Sequence, residues 1–176
     1  LILFAMLVIG LTQGMQPIIG YNHGAMKPER VLLTLKYGVI TGTAFTTAGF
    51  LACMFFSHGI AALFTDDAQL ISLAAGGLKI VILAFPLIGS QIVIGNFFQA
   101  IGKARLAIFL SLTRQLLFLL PILLILPEFW GQTGVWASMP LADVLSSIVT
   151  LWFIRRFLKY YCGKNREYLA QPAGQV

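Results

Sequence analysis

Charge is what this chain has least of. Only 10% of its 176 residues are Asp, Glu, Lys or Arg, and just six of them are acidic. So sparse a charged coat excludes a soluble domain with a single core. Cysteine is nearly absent too. Cys53 and Cys162 are the only two, one in an apolar run and one in a basic tail, so no disulfide framework and no metal-ligand spacing can be read. The two histidines, His23 and His58, sit at opposite ends of apolar runs and read as surface or interfacial residues. His23 is placed in a turn. No zinc spacing, phosphate-cradling Gly-rich loop or Ser/His/Asp set appears, so no enzyme signature is present. The net charge of +6 could suggest nucleic acid. The basic residues flank apolar runs, however, and membrane orientation explains them better. Nor is there a basic n-region or a small-residue cleavage site at the start. The chain opens at Leu1 without an initiator Met, and the expectation is that upstream helices precede it.

What is present is apolar length. Hydrophobic residues make up 59% of the chain. Five runs approach the about 20 apolar residues that a bilayer requires. They are 1–22, 35–56, 70–100 with a kink expected at Pro86, 104–126 with Pro121 near its end, and 134–157. The expected fold is an all-α integral membrane bundle over residues 1–161 with a tail at 162–176.

The connections alternate in charge. Lys27 and Arg30 mark the first, Asp66 and Asp67 the second, Lys103 and Arg105 the third, and Glu128 the fourth. Arg155, Arg156, Lys159, Lys164 and Arg166 gather at the C-terminal end. The positive-inside rule then places the first and third connections and the C-terminus in the cytoplasm. Trp130 and Trp136 fall near one interface, and Trp152, Tyr160 and Tyr161 near the other, as interfacial anchors. The segment after Tyr168 reads as short, polar and disordered.

Polar residues inside apolar spans are costly, so each is a functional candidate. In the first span Gln13, Gln16, Gly20 and Gly24 recur at helical spacing around Pro17. Such a stripe either packs close to a neighbour or lines a cavity. Gly38, Gly42 and Gly49 form a small-residue seam on the second span. The third adds Gln91, Asn96 and Gln99 within one arc, and Lys79 near its outer end, with a stem able to snorkel. Asp143, Ser146, Ser147 and Thr150 stand at i, i+3, i+4 and i+7 on the fifth, one face of a helix. That face is either a hydrogen-bonded seam or the wall of a polar cavity. Arg114 and Asp143 both fall about 15 Å from their helix starts, near the midplane. Both should therefore face protein or water, and a direct or water-bridged pair is one arrangement this depth permits.

Several co-linear motifs carry a resemblance over nearly the whole chain. QPIIGYNHGA with Arg30, NFFQAIGKA, SLTRQLLFLLP and TGVWASMPLADVLS resemble the helix ends and helices of the multidrug and toxic compound extrusion (MATE) family, in its MepA-like bacterial branch. The resemblance implies helices eight to twelve of a twelve-helix transporter, most of one six-helix lobe. It implies a proton- or sodium-coupled antiporter that exports organic, often cationic drugs from the cytoplasmic membrane by alternating access. The partners would be the other lobe of the same protein, the drug and the bilayer, with no cofactor. The main coupling acid would lie outside this stretch. A lipid-linked precursor flippase of the same superfamily is the alternative, although it should carry several basic groups in its cavity. The residues placed on a substrate or ion pathway are Gln13, Gln16, Gln91, Asn96, Gln99, Arg114, Asp143 and Ser147.

Overall fold

The computed structural model describes residues 2–170, with side chains through Tyr161. The tail expected from 162 onward lies outside the described side chains, and its last six residues outside the described backbone. The order of elements is α1 (Ile2–Gly24), α2 (Pro28–Ala62), α3 (Ala68–Val81), a 3-10 turn (Ile82–Ala84), α4 (Phe85–Ala100), α5 (Ala104–Leu112), a π-helical segment (Thr113–Leu119) and α6 (Leu120–Ala170).

Among the described residues, four continuous helical runs are long and apolar enough to cross a membrane: Ile2–Gly24, Pro28–Ala62, Ala68–Ala100 and Ala104–Tyr161. The sequence leads to five. The difference lies in the last run, where the loop expected around PEFWGQTG is reduced to a single non-helical residue, Gly131 (φ 54°, ψ −133°). That residue folds the chain back on itself. Arg114 and Asp143 are 29 residues apart yet in contact, whereas a straight helix would separate them by about 44 Å. A β-carbon on Gly134 would stand 2.5 Å from the Leu126 carbonyl oxygen, so the two arms nearly touch at the turn. The run is two antiparallel arms with a one-residue corner that only glycine's freedom at positive φ makes cheap.

The other end of the bundle uses a different turn, twice. At the close of α1, Lys27 N–H donates to the Asn22 carbonyl (2.9 Å) and Met26 N–H to that of His23 (3.2 Å), with Met26 at φ 53°. At the close of α4, Lys103 N–H donates to Phe98 (2.8 Å) and Gly102 N–H to Gln99 (3.0 Å), with Gly102 at φ 76°. Both are Schellman motifs, in which a left-handed residue lets the chain satisfy the last carbonyls and reverse. His23 therefore lies in the last helical turn of α1 rather than in a loop. Across the bundle Asp67 caps α3, accepting from Gln69 N–H at 2.8 Å.

α2 runs seven residues before and six beyond the apolar stretch, because Pro28 opens it at a position where no N–H is needed. The 3-10 turn falls immediately ahead of Phe85–Pro86, where a kink is expected. Pro121 has the same effect in the next run. It cannot donate to the carbonyl of Leu117, and the turns upstream widen into the π segment.

α1, α2 and α4 form the tightest layer. The expected glycine seam on α2 is buried throughout, facing Met15 at Gly38, Val8 and Val93 at Gly42, and Phe4 at Gly49. Opposite Gly42 stands Gly89 of α4, where an added β-carbon would meet the Gly42 carbonyl carbon and Thr46 Oγ1, each at 2.6 Å. Two helices can approach this closely only where neither carries a side chain. Thr46 Oγ1 then reaches across to the Pro86 carbonyl at 3.2 Å. The aliphatic core on this layer contains Val8, Ile19, Val31 and Val93. It ends in an aromatic knot where Phe157 of α6 packs edge-on against Phe97 and Phe98, at 6.0 and 5.4 Å between ring centres.

Candidate functional site

The polar residues of the spans converge on Asp143. Its face of α6 is turned inward as the spacing requires, with Asp143, Ser146, Ser147 and Thr150 all buried. Arg114 arrives from the π segment, and its Nε donates to Asp143 Oδ1 at 2.6 Å. The Asp143 side chain is 7% exposed and that of Arg114 36%. A buried carboxylate in a membrane span requires such a partner, because it has no water to solvate it. Gln91 of α4 comes from the other side. Its Nε2 donates to the Asp143 carbonyl at 2.8 Å and also to Ser147 Oγ. Ser147 Oγ in turn donates to the Asp143 carbonyl at 2.7 Å. Three helical elements are thus tied to one residue.

A second, weaker tie joins α1 to α4, where Gln16 Nε2 donates to Asn96 Oδ1 at 3.3 Å. Asn96 Nδ2 donates to the Ile92 carbonyl at 2.9 Å, which fixes its amide.

Two cavities flank the ion pair. One, of about 300 Å³, sets Gln91, Asn96, Gln99, Ser111, Arg114 and Thr150 among aliphatic side chains such as Ile92 and Leu110. The other, of about 270 Å³, lies between Phe85, Ile88, Leu119 and Met139, and is bounded by Asp143 and again by Arg114. The guanidinium is the side chain common to both. Arg114 thus borders both spaces, and its Nε is the donor that holds Asp143.

Of the eight residues placed on a pathway, the structure brings Gln91, Arg114, Asp143 and Ser147 into direct contact and adds Asn96 and Gln99 to the wall of the first cavity. Gln16 is linked through Asn96. Gln13 is not brought in, for its side chain is exposed on the outside of α1. Pro17 and the helical phase leave it one position round from the buried face of Thr12, Met15 and Ile19. Lys79 and His58 are exposed. Trp130 and Trp152 are exposed, but Trp136 is half-buried with its ring over Gly77 of α3, so it packs inside the protein. His23 has a specific partner, as its Nδ1 lies 2.9 Å from Tyr161 Oη. Two contributors are not evident in the chain's spacing. Gly89 looks like any membrane glycine until its opposite number, Gly42, is known. The π segment that aims Arg114 has no periodic signature, and Pro121 downstream is the one available clue.

Comparison with known proteins gives a consistent result. The MatE family profile matches residues 1–125. The multidrug export protein MepA of Staphylococcus haemolyticus (strain JCSC1435) is 25% identical over 149 residues, 85% of this chain and 32% of that protein. MepA of Staphylococcus aureus (strain bovine RF122 / ET3-1) is 26% identical over 157 residues, 85% of this chain and 33% of that protein. Among solved structures, the MATE multidrug transporter DinF-BH superimposes with a TM-score of 0.82 at 40% identity, covering 87% of this chain and 34% of that one. An inward-facing MATE transporter of the MOP superfamily gives 0.85 at 18% identity, over 92% of this chain and 38% of that one, a likeness of fold. The chain spans about a third of the length of the curated relatives it matches.

Proposed function

The chain belongs to the multidrug and toxic compound extrusion (MatE) family, and from that premise we propose that it forms one wall of a drug-exporting antiporter. It works with a second lobe of the same protein, and the cleft between them opens alternately to the two sides of the membrane. The cargo is an organic, often cationic compound, and the coupling ion is a proton or sodium. The first and third connections and the C-terminal end face the cytoplasm, since they carry the Lys and Arg. On that orientation the cavity beside Gln91 and Asn96 opens in the inner half of the membrane and the one beside Phe85 and Met139 in the outer half.

The observation that carries this reading is the buried Arg114–Asp143 pair with a cavity on each side. A helix bundle that only anchors has no use for a midplane ion pair, and a scaffold would be more stable with apolar residues there. In a transporter the pair ties the π segment to α6, with Gln91 adding α4, and stands between the two cavities. Gln91, Asn96, Gln99 and Ser147 line or brace the inner side of that pair.

The test is efflux by the full-length protein in cells stripped of their own pumps, with a fluorescent organic cation, ethidium, as the probe. Imposed proton and sodium gradients are applied separately. Export should follow one of the two gradients and fall in the Arg114→Ala variant. Export indifferent to both gradients, or of lipid-linked precursors alone, would overturn the antiporter reading.

A further inference from the structure

A surface feature at the far end of α6 has no part in the site above. Ile148, Leu151, Trp152, Arg155, Arg156 and Lys159, with Leu158 beside them, form an open face of α6. Their spacing of three and four residues puts them along one face of the helix. The face is graded. Its first turns are apolar, Trp152 stands in the middle, and three cations close it. Arg156 lies over the Trp152 indole, 5.4 Å from guanidinium carbon to ring centre, and Phe153 holds that indole edge-on at 5.0 Å. The tryptophan and its arginine are therefore prepositioned.

Among the described residues the one salt bridge is Arg114–Asp143, so no described carboxylate approaches Arg155, Arg156 or Lys159. Their depth is also fixed. Arg155 is 21 residues beyond Gly134, about 32 Å along the helix axis. That matches the hydrocarbon thickness of about 30 Å, so the guanidiniums emerge at headgroup level.

We propose that this face is a binding site for an anionic phospholipid of the inner leaflet. The acyl chains would lie along Ile148 and Leu151, the glycerol region against Trp152, and the phosphate and headgroup between Arg155, Arg156 and Lys159. A zwitterionic lipid fits the apolar half equally well but brings its own cation to a cationic end. Placing the lipid in the inner leaflet rests on the orientation proposed above, whereas the site itself does not.

The full-length transporter in mild detergent tests the site independently of orientation and of transport. Phosphatidylglycerol and phosphatidylcholine with brominated acyl chains are titrated in turn, and quenching is read as the fluorescence component lost in Trp152→Phe. Phosphatidylglycerol should half-quench at about one tenth of the phosphatidylcholine concentration, in line with polybasic recognition of anionic lipid. Joint replacement of Arg155, Arg156 and Lys159 by Gln should bring the two lipids to parity. If the triple variant does not fold, Arg155→Gln alone should still narrow the gap, since Arg155 is exposed and outside the core. The pair Arg30→Gln with Lys36→Gln, basic but elsewhere, should leave the preference intact. Equal quenching by both lipids in the native protein, an equal loss from the Arg30 and Lys36 pair, or displacement of the lipid by inorganic phosphate would overturn the proposal.

Discussion

Replacing Gly89 by alanine adds one methyl group, and the structure says where it must go. The new carbon would sit 2.6 Å from the Gly42 carbonyl carbon and 2.6 Å from Thr46 Oγ1. Ordinary contact requires well over 3 Å, and the obstacle is backbone, so α2 and α4 must separate. Overpacking of this kind costs about 1–3 kcal/mol. Against it stands alanine's better helix propensity, about 1 kcal/mol. Separation would also stretch the Thr46–Pro86 hydrogen bond across the same contact, so the net is a loss of about 1–2 kcal/mol. Two other glycines calibrate the effect. At Gly38 the crowding atoms are the Met15 Cε methyl, nearest, and its Sδ, the end of a flexible side chain that can swing away. Gly38→Ala should therefore be close to neutral. At Gly76 nothing lies within 4 Å, and Gly76→Ala should be neutral or stabilising. Thermal unfolding of the detergent-purified full-length protein, followed by size-exclusion fluorescence, gives the order. Gly89→Ala should lower the midpoint by about 1–2 °C, since the unfolding entropy grows with chain length and the relatives are about three times as long as this chain. If Gly89→Ala unfolds no earlier than Gly38→Ala, the close contact between α2 and α4 is wrong.

Three further outcomes are expected. Arg114→Ala should destabilise by about 3–5 kcal/mol, because it leaves the buried Asp143 unpaired. Asp143→Ala should cost less, because the half-exposed Arg114 can turn into a cavity. The double variant should cost less than the sum of the two singles, and strict additivity in a thermal-shift cycle would refute the coupling. Met26→Gly should raise stability by about 1 kcal/mol by relieving a left-handed methionine, whereas Gly102→Ala should lower it by a similar amount; equal effects of one sign in thermal melts would contradict the paired Schellman turns. In intact cells, in a Cys162→Ser background, Asp66→Cys should react with an impermeant thiol reagent and Arg105→Cys only after permeabilisation, with Cys53 silent because it is buried, and the reverse pattern would invert the proposed orientation.

Much of this molecule can be read before it is seen, and the parts that cannot share a cause. Apolar length and charge alternation locate the helices, because a bilayer imposes both on any spanning chain. The inward face of α6 follows from spacing alone, since four polar residues at helical intervals have one face to occupy. The contact between Arg114 and Asp143 is permitted by depth but not required by it. It depends on the rotation the π segment introduces, and on a corner one residue long. The close approach at Gly89 needs two helices in register, and no single helix encodes that. Gln13 has no partner among the described residues, for the converse reason. Its spacing with Gln16 is helical, but the face shared with Gly20 and Gly24 is broader than the strip the neighbours cover, and only Gln16 finds a partner.

The corner at Gly131 bears on how the protein is made. The two arms it joins are apolar, antiparallel and separated by too little chain to hold a loop outside the membrane for long. They form a helical hairpin, and such a unit can leave the translocation machinery together rather than one segment at a time. Arg114 sits on the first arm and Asp143 on the second. Inserted singly, each arm would carry an unneutralised charge into lipid, at about 2.5–3.5 kcal/mol on insertion scales. Inserted as a closed hairpin, the arms bring the two charges together before any other helix has docked. The ion pair can thus serve biogenesis first, by letting two individually awkward segments partition as one neutral body.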